Sequence, residues 1–175
     1  MSTFTCEHVG LGHSLSLDKG ADSGEEQRVT TAGEIGVVNP SEAYEALTTD
    51  PKTLLIDVRT RAEWSFVGVP DISVSGKQAA LIEWQSFPTM AVNEAFASQA
   101  LDAADQTGAA TIFFICRSGA RSMSAAVVTK AAAASRGAAM NCINVAEGFE
   151  GDLDAEGRRG IKNGWKARDL PWRQS

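Results

Sequence analysis

Short apolar runs alternating with helix-forming stretches predict an α/β fold, a small three-layer domain with a mainly parallel central sheet flanked by helices. Residues 53–58, 111–115 and 142–145 are rich in apolar side chains without polar alternation, the pattern of strands buried on both faces. Segments with helical spacing or strong capping signals separate them. Strand–helix–strand succession in turn demands right-handed crossovers, which lay helices over both faces of a parallel sheet. A length of 175 residues suits one such domain, and a 43% apolar content supplies its core.

Order begins near Ile35. Asn39-Pro40-Ser41-Glu42 provides a side-chain cap, a proline at the first helical position and a glutamate placed to reach back to the cap, so a helix starts there. Ala43, Ala46 and Leu47 form its apolar side, and Asp50-Pro51 stops it. After the strand at 53–58, Thr60 caps a brief helix through Glu63 and Trp64. Residues 81–84 read as a further strand. Residues 91–104 read as a helix, with Val92, Ala95, Phe96 and Leu101 at near-helical spacing. The strand at 111–115 leads to an alanine-rich helix over 122–135, closed by Gly137. The strand at 142–145 gives way to loop and short helix ending at Pro171-Trp172. Residues 1–33 differ: the stretch from Asp18 to Glu26 is polar, glycine-containing and aperiodic, so 1–33 reads as a flexible tail ahead of a domain over 34–175.

Composition narrows the function. Sixteen Lys and Arg against 22 Asp and Glu leave a net charge of −6, which excludes a general nucleic-acid binder needing a basic face. No apolar run approaches the roughly 18 to 20 residues of a membrane span, and the first residues lack the basic start and apolar stretch of a secretory leader. Three cysteines, Cys6, Cys116 and Cys142, are too few and odd in number for a disulfide framework, so the expected compartment is reducing and cytoplasmic. Cys6, His8 and His13 match no zinc spacing with a fourth ligand, and no metal or other cofactor is expected.

One segment concentrates chemistry. After the strand at 111–115 comes Cys116-Arg117-Ser118-Gly119-Ala120-Arg121-Ser122, then a helix. A thiol is a useful nucleophile only as thiolate, and helix N-termini and nearby cations bring thiol pKa values down to roughly 3.5 to 7.5. Gly119 lets the backbone curl so that successive N–H groups face inward as an anion nest. Arg117 and Arg121 add positive charge, and Ser118 or Ser122 is placed to cap the helix and donate to the same anion. The expected catalytic residue is Cys116, with Arg117, Ser118, Gly119, Ala120, Arg121 and Ser122 binding substrate. Cys142, in an apolar strand without basic neighbours, reads as core.

These residues resemble the rhodanese family of sulfurtransferases, single-domain type. The loop from Cys116 to Ser122 looks like the family's active-site loop. Leu55-Ile56-Asp57-Val58-Arg59 with Glu63-Trp64 looks like its first signature, and Asn144-Val145 through Gly148-Phe149-Glu150-Gly151, Gly164-Trp165 and Leu170-Pro171-Trp172 like its closing block. The likeness spans about residues 35–173. It implies that Cys116 takes the outer sulfur of a donor such as thiosulfate as a persulfide and passes it to a thiol or cyanide, without metal or organic cofactor. Asp57, Arg59 and Glu63 read as an ion-pair network bracing the loop. Trp84, Trp165 and Trp172 read as packing residues, with Phe149 or Trp165 as a pocket wall. Where the family usually has Gly-His-Ile-x-Gly-Ala, this chain has Val67-Gly68-Val69-Pro70-Asp71-Ile72.

Two rivals stand beside this reading. A cysteine-dependent phosphatase or arsenate reductase would also use Cys, nest and Arg. Only four residues separate Cys116 from Arg121, however, where the phosphatases that resemble rhodanese have five, and Ile115 replaces their histidine. The other is a persulfide carrier or sensor that hands sulfur to a sulfur-relay protein partner. The expected partners are otherwise a small sulfur-containing anion and a thiol acceptor, with no nucleic acid and no membrane.

Overall fold

The computed structural model describes residues 34–174; the segment read as a tail, with Cys6, His8 and His13, lies outside them. A five-stranded, all-parallel sheet is ordered β1-β8-β7-β2-β4. In chain order its strands are β1 (Gly36–Val38), β2 (Thr53–Asp57), β4 (Ala80–Leu81), β7 (Thr111–Ile115) and β8 (Asn141–Val145). Two short antiparallel pairs lie apart from it. β3 (Val69–Pro70) pairs with β9 (Trp172–Arg173), and β5 (Gln85–Ser86) pairs with β6 (Ala91–Val92).

Side-chain alternation along the central strands builds the three layers. Leu54, Ile56, Ile112, Phe114 and Cys142 face one way, under α3 (Phe96–Thr107) and α4 (Ala120–Ser135), which contribute Phe96, Ala100, Ala125 and Ala126. Leu55, Phe113, Ile115 and Val145 face the other way, against Ala43 and Leu47 of α1 (Pro40–Thr49) and against Phe149 and Trp165. Runs with no polar alternation therefore mark strands with two dry faces. Among the described residues no helix is long and apolar enough to cross a membrane.

The helix starts follow their capping chemistry. Asn39 accepts from the N–H groups of Ser41 and Glu42 while Glu42 accepts from the Asn39 N–H, a complete capping box. Thr60 and Glu63 repeat the device at α2 (Arg61–Val67), which runs three residues past the predicted Trp64. Three expectations need correction. Residues 91–95 are not helical: Ala91 and Val92 pair with β5, and Asn93 takes the Ala95 N–H on its side chain, so α3 starts at Phe96. The strand expected at 81–84 is β4, Ala80–Leu81, paired with β2. α4 starts at Ala120 rather than Ser122, and neither Ser118 nor Ser122 caps it through its side chain; Gly119, at φ 101°, makes the turn.

At the end of β2 a buried ion pair locks the strand to the next turn. Arg59 and Asp57 are both fully buried, with Arg59 Nε 2.9 Å from Asp57 Oδ1 and Nη2 2.6 Å from Oδ2. Nη2 also donates to the Gly68 carbonyl at 2.7 Å, and the guanidinium carbon lies 4.1 Å from the centre of the Phe149 ring. Asp57→Ala leaves that cation buried without its carboxylate and is expected to cost about 3–5 kcal/mol in urea denaturation; a loss below about 1 kcal/mol would show that the pair contributes little.

Candidate active site

The loop after β7 lies at the carboxyl end of the sheet's middle strand, where reactive groups of parallel sheets gather. Its shape is imposed from outside. The Cys116 carbonyl accepts the Phe149 N–H at 2.8 Å, and the Arg117 carbonyl accepts those of Glu150 and Gly151 at 3.0 and 3.1 Å. Gly148, at φ 66°, makes this approach possible: a Cβ there would lie 2.5 Å from the Cys116 carbonyl oxygen and 2.6 Å from Ser118 N.

With its first two carbonyls held by the 148–151 turn, the loop leaves its N–H groups uncommitted to that turn. Gly119 N–H donates to Cys116 Sγ at 3.1 Å. The N–H groups of Arg117, Ser118, Ala120, Arg121 and Ser122 have no acceptor among the described residues. Free donors at the start of a 16-residue helix form an anion cradle. The Ser122 hydroxyl lies 3.3 Å from the same sulfur. Cys116 is 1% exposed, yet it forms the floor of an open cleft of about 660 Å³. Cys142 is also buried, and desolvation pushes its thiol up to about 11.

The two loop arginines differ. Arg117 borders the cleft and has no ion-pair partner among the described residues. Arg121 also borders it, but its guanidinium is paired with Glu63 through two bonds, of 2.9 and 2.6 Å. Half-burial would raise the Glu63 pKa, but Arg121 and Thr60 more than reverse this and hold it at about 2. The expected network of Asp57, Arg59 and Glu63 is thus two separate pairs. Asp57–Arg59 closes the end of β2, and Glu63–Arg121 ties α2 to the cysteine loop. Neither Phe149 nor Trp165 walls the cleft: both are fully buried in the lower core. Trp84 packs edge-on against Phe96 and Trp165 against Tyr44 as expected, and Trp172, though 42% exposed, packs edge-on against Phe149.

The cleft's apolar wall is instead Val67, Phe87 and Met90, the last two from the β5–β6 turn, and Arg159 adds a second cation at its mouth. Phe87 follows Gln85-Ser86, and its place just before Pro88 is the one signal the sequence offers there. Arg159, beside Gly160, gave none. The departure from the family pattern at 67–72 is absorbed by pairing: Val69 and Pro70 form β3 against β9, and the Gly68 carbonyl receives Arg59.

A cysteine cradled by unpaired backbone donors, at the end of a middle parallel strand, places the chain in the class of α/β domains built on a cysteine anion loop. Within that class it belongs to the rhodanese-like family, whose domain description, "Rhodanese-like domain", matches residues 39–155. An uncharacterized protein of Rickettsia conorii is 35% identical over 133 residues, which cover 75% of this chain and 92% of that one. A Rickettsia prowazekii counterpart is 33% identical over 132 residues, again 75% of this chain and 92% of its own. The crystal structure of Rv0390 from M. tuberculosis superposes with a TM-score of 0.68 at 41% identity, covering 80% of this chain and 98% of that one.

Since its folded pKa lies below the ordinary 4.5, Glu63 stabilises the fold above that value and loses the contribution as pH falls toward about 2. Glu63→Gln is therefore expected to cost up to about 3 kcal/mol at neutral pH and almost nothing near pH 2. Urea midpoints of the two proteins across that range check this, and a constant difference would remove Glu63 as the source.

Proposed function

We propose that the protein is a sulfurtransferase that carries sulfane sulfur on Cys116. The observation that supports it best is the hydrogen bonding of the loop, in which Sγ already accepts Gly119 N–H and five neighbouring N–H groups have no acceptor among the described residues. Such a cradle stabilises a sulfur anion before and after it gains one atom. In the first half-reaction the Cys116 thiolate attacks the outer sulfur of thiosulfate. The sulfur–sulfur bond of the donor breaks, and sulfite leaves with the electron pair. In the second, a thiolate or cyanide attacks the outer sulfur of Cys116–S–S⁻ and Cys116 departs as thiolate. The two displacements give ping-pong kinetics.

In this reading Arg117 and Arg159 attract the anionic donor to the cleft mouth, and Arg121 holds the loop to α2 through Glu63. Ser118, Gly119 and Ala120 contribute backbone to the cradle, and Ser122 its hydroxyl. The short loop, with four residues between Cys116 and Arg121, favours sulfur over a tetrahedral phosphate. A second reading, a persulfide carrier serving a sulfur-relay protein, is favoured by Phe87, 67% exposed at the rim of the cleft. The expected setting for either is the cytoplasm.

Mass spectrometry after thiosulfate treatment tests the proposal. A gain of one sulfur on the Cys116 peptide, with sulfite released and both lost in Cys116→Ser, is the expected result. No gain from thiosulfate but a gain from a cysteine desulfurase would select the carrier, and no gain from either would reject both. Iodoacetamide at mildly acidic pH is expected to label Cys116 in preference to Cys142, whose thiol is pushed up to about 11. Equal labelling of the two would count against an activated Cys116.

A further inference from the structure

Asn144 lies on β8, outside the cysteine loop, and no role given above uses its side chain. Its Oδ1 is 2.7 Å from Ser122 Oγ, which is also 3.0 Å from the Gly119 carbonyl and 3.3 Å from Cys116 Sγ. All three side chains are buried, Asn144 at 5% exposure and the other two at 1% or less. A hydroxyl has one proton, so Ser122 serves only one of these acceptors at a time. The Gly119 carbonyl receives the Met123 N–H at 3.1 Å and, with a second lone pair, can take the hydroxyl proton as well. The sulfur and Asn144 compete for that proton with each other and with this local bond.

The two states of the sulfur need opposite answers. As a thiolate, Sγ is an anion that gains from the Ser122 proton. When Sγ is a neutral thiol or the inner sulfur of a persulfide, it needs no such bond, and the proton belongs on Asn144 Oδ1. A carboxamide serves both cases, because rotation about its terminal torsion replaces the Oδ1 acceptor by an Nδ2–H donor at nearly the same point. With Nδ2–H donating to Ser122 Oγ, the hydroxyl proton is free to turn to the sulfur. A carboxylate or an alkyl group of this size offers only part of this.

We infer that Asn144 is a positioning residue that sets the direction of the Ser122 hydroxyl, turning it to Cys116 Sγ whenever that sulfur bears the charge. The inference rests on Cys116 as the sulfur carrier and refines that reading. Sγ becomes anionic as the outer sulfur departs, so the relay acts on the second half-reaction, when Cys116 is the leaving group.

A double-mutant cycle on the whole protein tests it, read as the rate of Cys116 alkylation by iodoacetamide near neutral pH. Ser122→Ala is expected to slow alkylation about tenfold, the worth of one hydrogen bond to a charged group. Asn144→Leu is expected to slow it several-fold, and to add no further loss in the Ser122→Ala background. An Asn144→Leu protein that alkylates as fast as wild type or faster, or losses that multiply, overturns the relay. A second measurement needs no change at Asn144: its side-chain amide NMR signal should shift when Cys116 ionises and stay fixed in Ser122→Ala. A signal that never moves in the wild type also overturns it. Both readouts are independent of sulfur transfer, so a protein that gains no sulfur from any donor rejects the function and leaves the relay to be decided by the cycle.

Discussion

Everything at the cysteine depends on where two carbonyl groups point. Cys116 and Arg117 give their carbonyls to the N–H groups of residues 149–151. A peptide unit carries its N–H and C=O on opposite sides, so tying down the carbonyls turns the Arg117 and Ser118 N–H groups away from the 148–151 turn. The cradle therefore comes from the 148–151 turn as much as from the loop itself. That turn exists because Gly148 has no side chain to hold the two segments apart. Preorganisation of this kind is set during folding and needs no rearrangement when charge arrives.

The electrostatic parts are layered behind that geometry. Glu63 neutralises Arg121 and fastens α2 to the first turn of α4, while Asp57 and Arg59 fill the space below with a second, fully buried pair. Among the described residues, Arg117 and Arg159 are the cations at the cleft without an acidic side-chain partner. The local positive character read from the loop is thus carried differently from what its two arginines suggest. One of them is a brace.

The legible parts of the sequence were those with short-range causes. Thr53–Asp57, Thr111–Ile115 and Asn141–Val145 announce themselves because both faces are dry, and the helices at Pro40 and Arg61 because their caps lie within three residues. β1, β3, β5, β6 and β9 have two or three residues each, too few for a local periodicity, and β1, β3 and β9 are also defined by distant partners. The spacing of Val92, Ala95 and Phe96 suited a helix, but pairing of Ala91 and Val92 with β5 outweighed it. At the site, Cys116 and its loop were readable from composition. The partnership of Arg121 with Glu63, 58 residues away, was not, since either residue alone suits a solvated surface equally well.

Strand order has a consequence in time. Among the described residues β1 lies at the sheet edge and pairs with β8, which is made after β2, β4 and β7. The turn that fixes the cysteine loop follows β8 directly in the chain. During synthesis from the N-terminus, Cys116 emerges before the segment that orients its amides, so the cradle closes only when the last central strand has inserted between β1 and β7. The surroundings of the sulfur are thereby absent from the growing chain and assemble as the sheet is completed.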